Sequence, residues 1–208
     1  MRMRTAVIFT LLLASVECVA QRLSLPPAPV RNHSIIISGG WSWPLSHDGL
    51  TKFWGPGPGA SIEFLTSVDR ALALGFDLSG SAYWFRGPEF ARAYPTVPFR
   101  NPPVAQIVAG VAGRLTIAPG RKFTPYIGAM IGFSHMTGAE YRQVTDSGRV
   151  TFFYLPFETR LAASLSGGFE YRFSRSFAFD AEARALYVNG DPDVGMTVTA
   201  RGGFRFFF

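Results

Sequence analysis

The chain is short of charge, of lysine, of cysteine and of long apolar runs, and each shortage removes a class of protein. Charged residues make up 16% of the 208 residues, against roughly 25% in an average soluble domain. A surface wholly faced by water is a poor fit to that figure. The single cysteine, Cys18, lies among the first twenty residues, and the three histidines, His33, His47 and His135, are dispersed. Neither a disulfide framework nor a metal site follows from such a set, and no cofactor is expected. After residue 20 no stretch is apolar for the ~20 residues that a membrane-spanning helix needs. The abundant residues exclude as much. With 22 Gly and 15 Pro a helical bundle is ruled out, and 48% hydrophobic content with 20 Phe rules out intrinsic disorder. The length suits one domain.

The N-terminus reads as an export signal. Arg2 and Arg4 precede an apolar run from Ala6 to Val16, and Cys18-Val19-Ala20 places small residues at both positions that specify cleavage. Residues 1–20 are therefore expected to be a signal peptide. Glu17 stands where a lipoprotein site wants a small residue, which argues against lipidation of Cys18. Cleavage removes two arginines and one glutamate, so the formal charge falls from +6 to +5, and the cysteine goes with them. Residues 21–33, with Pro26, Pro27 and Pro29, read as an extended periplasmic leader. Residues 34–208 remain for the folded unit.

That remainder alternates with period 2. Leu161, Ala163, Leu165, Gly167, Phe169, Tyr171 and Phe173 alternate with Arg160, Ala162, Ser164, Ser166, Gly168, Glu170 and Arg172. Phe177, Phe179, Ala181, Ala183, Ala185 and Tyr187 oppose Asp180, Glu182 and Arg184. Met196, Val198, Ala200, Gly202, Phe204, Phe206 and Phe208 oppose Thr197, Thr199, Arg201 and Arg205. Leu72 to Trp84 repeats the pattern with Asp77 on its polar face. Weaker examples near residues 35–43, 60–64, 107–117 and 127–133 bring the number of strands to about eight. Each of the four stronger stretches is long enough to cross a bilayer as a strand, about 9–11 residues. Short turns are expected near 68–70, 119–122 and 174–176. Long connections are expected at 44–58, 86–103 and 138–158, with a modest one at 189–193. This asymmetry suits an all-β, antiparallel transmembrane barrel with its short turns in the periplasm.

A soluble sandwich also alternates, so the position of the aromatics is the discriminating feature. If the first strand runs upward, Trp41, Trp43, Trp84, Phe133 and Tyr187 fall at upper strand ends. Phe64, Tyr171, Phe173, Phe177, Phe206 and Phe208 fall at lower ends. Two aromatic girdles around an aliphatic band are what lipid interfaces select. A sandwich core has no reason to sort its aromatics so.

On these residues, and on the ending Phe204-Arg205-Phe206-Phe207-Phe208, the chain resembles the small outer-membrane β-barrel family of the OmpA/OmpX type, over essentially all of 34–208. Tyr126-Ile127-Gly128-Ala129 and Gly168-Phe169-Glu170-Tyr171-Arg172 also resemble strands of that family. The resemblance implies an eight-stranded barrel in a cell outer membrane, without a peptidoglycan-binding domain. It also implies an assembly signal at Phe204, Phe206 and Phe208 that is read by the barrel-assembly machinery. The implied surroundings are outer-membrane lipid and lipopolysaccharide, and the expected state is a monomer.

The inward positions carry Glu63, Asp77, Glu170, Asp180 and Glu182 against Arg114, Arg160, Arg172, Arg184, Arg201 and Arg205. Side chains about fill the interior of an eight-stranded barrel. Confined charges must then pair, and arginine does so bidentately. A salt-bridged, mostly closed lumen is expected, with a narrow channel for small or apolar solutes as the alternative. The pI near 9.9 does not indicate nucleic-acid binding, because the arginines alternate with apolar residues along strands instead of clustering. Only two of the twenty basic residues are lysines.

The long connections hold aromatics and arginines, among them Trp54, Tyr94, Phe99, Arg100, Tyr141, Arg142, Arg149 and Phe152 to Tyr154. They read equally as anchors for an extracellular ligand or host surface and as cover for the mouth. One catalytic arrangement stands as an alternative to a non-enzymatic role. His135, Thr137 and Glu140 supply imidazole, hydroxyl and carboxylate at the outer-leaflet level. Phe133 to Gly138 is similar to the His-x-Ser-Asn segment of lipid A 3-O-deacylases, but has Thr137 for the serine and Gly138 for the asparagine. The resemblance implies hydrolysis of a lipid acyl ester.

Overall fold

The computed structural model describes residues 33–46, 53–93, 95, 104–117, 119–137, 139–144, 150–155, 158–189 and 195–208, with backbone alone in 139–144 and 150–155. The expected signal peptide and almost all of the expected leader lie outside the described residues.

Eight long antiparallel strands close into a barrel. In chain order the strands are β1 (His33–Ser46), β2 (Trp54–Gly55), β3 (Gly57–Ser67), β4 (Leu72–Phe85), β5 (Val104–Thr116), β6 (Phe123–Met136), β7 (Ala139–Val144), β8 (Val150–Leu155), β9 (Glu158–Arg172), β10 (Phe177–Val188) and β11 (Gly195–Phe207). A short helix α1 (Gly87–Ala93) follows β4. The wall runs β1-β3-β4-β5-β6-β9-β10-β11, and β1 pairs with β11 to close it. Every wall strand pairs with its neighbour in the chain, so no edge is left to bind another chain. The two-residue β2 continues the pairing along β4, and β7 with β8 forms a separate hairpin. All three long connections thus hold more regular structure than alternation alone suggested, and β1 and β3 extend into the first of them.

Three short turns close one end. In the first, the Asp69 carboxylate accepts the backbone N–H groups of Ala71 (2.6 Å) and Leu72 (2.7 Å). The second carries Gly120 at φ +89°, a conformation that favours glycine. The third is closed by the Phe173 and Ser174 amides, both bonding to the Phe177 carbonyl. The chain ends meet here too, where His33 and Phe208 exchange backbone hydrogen bonds of 3.2 and 3.0 Å. We call this the turn end and the opposite one the loop end.

Alternation sends one face of each strand inward. Ser34, Ile36, Ser38 and Ser42 of β1 are buried while Ile37, Trp41 and Trp43 are exposed. Close packing inside so narrow a barrel leaves some inward positions no room for a side chain. A Cβ on Gly75 would stand 1.7 Å from the Phe64 carbonyl oxygen. Outside, Ile62, Leu78, Val111, Ile131 and Leu165 are each more than half exposed. In water such a belt would aggregate, whereas in a bilayer it is covered by lipid.

Candidate functional site

The lumen holds a connected set of ion pairs at the level of the membrane. Arg114 of β5 lies between Asp180 (2.5 Å) and Glu63 (2.9 Å), with Glu182 at 3.8 Å. Its guanidinium also covers the ring of Tyr126 at 3.8 Å, and the Tyr126 hydroxyl donates to Asp180 at 2.9 Å. Glu182 in turn bonds Arg184 at 2.9 Å and Arg201, and Arg184 reaches across to Asp77 at 2.9 Å. The charged residues come from β3, β4, β5, β10 and β11 and Tyr126 from β6, so the network spans the lumen. Arg114 and Asp77 are each 2% exposed. Charges this deep are tolerated only when paired and hydrogen-bonded, and here the pairing is mutual among several strands.

A second cluster lies toward the turn end. Glu170 bonds Arg205 at 2.7 Å and Arg172 at 2.9 Å, and Arg205 also donates to Ser34. The inward ring of Phe207 lies beneath both guanidinium groups, at 4.5 and 4.7 Å. Arg160 stands apart from both clusters near the loop end, half-buried and paired to Glu158 at 2.5 Å. Each inward charge singled out from the sequence therefore has an ion partner. Reading charge alone missed Tyr126, Ser34, Phe207 and Glu158. The first three share the inward parity of their strands, and Glu158 shares that of Arg160.

Above the network the lumen becomes neutral and then apolar. Tyr83 donates to Gln106 at 2.7 Å, and Gln106 donates to Ser134 at 2.9 Å. Trp54, Tyr83, Phe90 and Val104 form a buried cluster at the mouth, with Phe53, Phe85 and Met136 against it. Trp54 is 1% exposed, so it covers the mouth and is not a surface anchor. Among the described residues there are small cavities of about 20 Å³, one lined by Gln106, Ser134, Glu158 and Arg160 and another by Ser79, Arg184 and Arg201. Each has room for roughly one water.

The remaining candidates lie elsewhere. His135 Nδ1 is 2.8 Å from the Thr159 hydroxyl, and the Thr137 hydroxyl contacts both the amide (2.9 Å) and the carbonyl (3.2 Å) of Ala105. The structure brings His135 to Thr159 and Thr137 to Ala105, and the Glu140 side chain lies outside the described residues. So do those of Tyr94, Phe99, Arg100, Tyr141, Arg142, Arg149 and Phe152 to Tyr154.

On the outer surface Trp41, Trp43, Trp84, Phe133 and Tyr187 are exposed toward the loop end. Toward the turn end Tyr171 and Phe173 are exposed, and Phe177 stacks on Phe173 and Phe204. Phe123, stacked on Phe169 at 5.0 Å, belongs to this lower ring as well. Phe204, Phe206 and Phe208 all face outward at the β1–β11 seam. A closed barrel with polar groups inside, an aliphatic belt and two aromatic rings has lipid as its outer solvent.

No protein-family model and no curated protein matches the sequence. The fold does match solved structures. Neisserial surface protein A superposes with a TM-score of 0.56 at 15% identity, over 85% of this chain and 97% of that one. The outer membrane protein OprG from Pseudomonas aeruginosa gives 0.51 at 12% identity, over 86% and 99%. The fold is that of the small eight-stranded outer-membrane β-barrels. Together with the lipid-facing belt, it makes this an outer-membrane protein with buried salt bridges in its barrel. At such identities the likeness extends to the fold alone.

Proposed function

We propose that the protein is a barrel with a mostly closed lumen, acting as a rigid anchor that presents its loop end as an interaction surface at the cell exterior. The observation that carries this reading is the ion-pair network centred on Arg114 and Glu182. It ties five wall strands across the lumen, with the Trp54 cluster above it. A solute would have to break several buried ion pairs to pass, and uncompensated charges in a dry interior cost several kcal/mol each. The three longest connections leave from the loop end, where extracellular contacts are made in barrels of this type.

The test is single-channel conductance of the refolded chain in planar bilayers, beside Arg201→Ala. Silence in a folded barrel is expected. A steady, salt-dependent conductance altered by the substitution would move the function to transport. That second reading, a narrow solute path, has one observation in its favour. Arg184 Nη1 and Arg201 Nε are buried without a hydrogen-bond partner among the described residues, and both side chains line a cavity.

A further inference from the structure

We propose that the turn end binds the phosphodiester headgroups of anionic phospholipids in the leaflet around it, through the cations of its three short turns. This goes beyond the closed-lumen reading and holds whether or not the barrel conducts.

The charge of the chain is divided unequally between its ends. The four long connections, residues 47–53, 86–103, 137–157 and 189–194, carry six acidic and six basic residues and cancel. In the lumen the carboxylates are matched by arginines. Over residues 33–208 the net charge is +3, and this surplus falls at the turn end. Arg70, Arg121, Lys122 and Arg175 are exposed on the turns. The one acid on these turns is Asp69, whose Oδ1 accepts two amides of its own turn, so the cations outnumber it four to one.

Their placement identifies the partner. Lys122 precedes Phe123 of the lower aromatic ring, and Arg175 follows Phe173 of the same ring by two residues. Aromatic rings mark the depth of the interface, and the phosphates lie just beyond it, within reach of arginine and lysine side chains that extend toward water. Phosphate is a strong acceptor for the forked guanidinium donor. The cations stand on three separate hairpins, β3–β4, β5–β6 and β9–β10, not on one face. That distribution fits a ring of lipids, each meeting its own cation, better than one acidic protein docking on a patch.

The experiment uses the barrel refolded into phosphatidylcholine vesicles containing traces of spin-labelled phosphatidylglycerol or spin-labelled phosphatidylcholine. The motionally restricted fraction in the electron spin resonance spectrum gives the relative affinity for the barrel surface. Wild type is expected to prefer phosphatidylglycerol by about fivefold per site, the scale of one basic residue at an anionic surface. The preference should vanish in about 1 M salt, where the screening length is about 3 Å. It should also vanish in the combined Arg70→Gln, Arg121→Gln, Lys122→Gln and Arg175→Gln variant, with refolding checked by unboiled gel mobility. Equal preference in variant and wild type would overturn the proposal, as would a preference insensitive to salt. If the variant does not refold, the salt titration of wild type decides alone. Wild type that shows no lipid preference yet binds soluble polyglutamate would overturn it in favour of an acidic protein partner.

Discussion

At the scale of single residues, the value of a charge in this barrel depends on depth and on the number of partners. Arg114 is buried and meets Glu63, Asp180 and Glu182. Its replacement by alanine leaves carboxylates without a counter-charge, at a cost of about 3–5 kcal/mol. Arg160 has one partner, Glu158, in a half-buried pair, and Arg160→Ala should cost below about 1 kcal/mol. Urea unfolding of the two variants in the same lipid checks the contrast, and equal losses would contradict the depth argument. The hydroxyl of Tyr126 supports the same site, so Tyr126→Phe should fall between the two.

At the scale of the element, glycine and register decide whether a strand can lie where it does. The Phe64 carbonyl occupies the space a side chain would need at Gly75, whereas a Cβ at Gly167, on the lipid face, meets nothing within 4 Å. Gly75→Val should abolish the compact form on unboiled gels, and Gly167→Ala should leave it intact. Such close approaches were not legible in the sequence, because they depend on which carbonyl of the neighbouring strand lies opposite. The parity of alternation was legible, and it separated Asp77 and Arg114 from Phe76 and Leu115 without any knowledge of partners. The pairing itself was not: Arg184 meets Asp77 from a strand more than a hundred positions away, and no local pattern encodes that. Nor did the loop segment around Trp54 announce a buried role, since a tryptophan flanked by Gly and Pro reads equally as exposed. The closing strand β11 carries a further expectation. If its outward phenylalanines are read during assembly, Phe208→Ala should lower the amount of barrel in the outer membrane of cells while refolding into detergent proceeds normally.

At the scale of the whole molecule, two solvents and one closed sheet account for the composition. The refolded protein should give a β-dominated circular dichroism spectrum and a gel mobility that changes on boiling, and a helical spectrum would reject the fold. The low charge content follows because lipid covers the belt, and the charges that remain are confined to the lumen, the turns and the loops. All four tryptophans, Trp41, Trp43, Trp54 and Trp84, lie at the loop end. Three face outward and are 37–58% exposed, while Trp54 is enclosed. Their intrinsic fluorescence is therefore a one-sided depth gauge. In a chain that inserts from solution with the loops crossing to the far side and the turns left behind, quenchers fixed at the bilayer midplane dim the three outward rings in passing. Quenchers near the far headgroups then dim them for good, while the fourth, once the closed barrel encloses it, keeps its light.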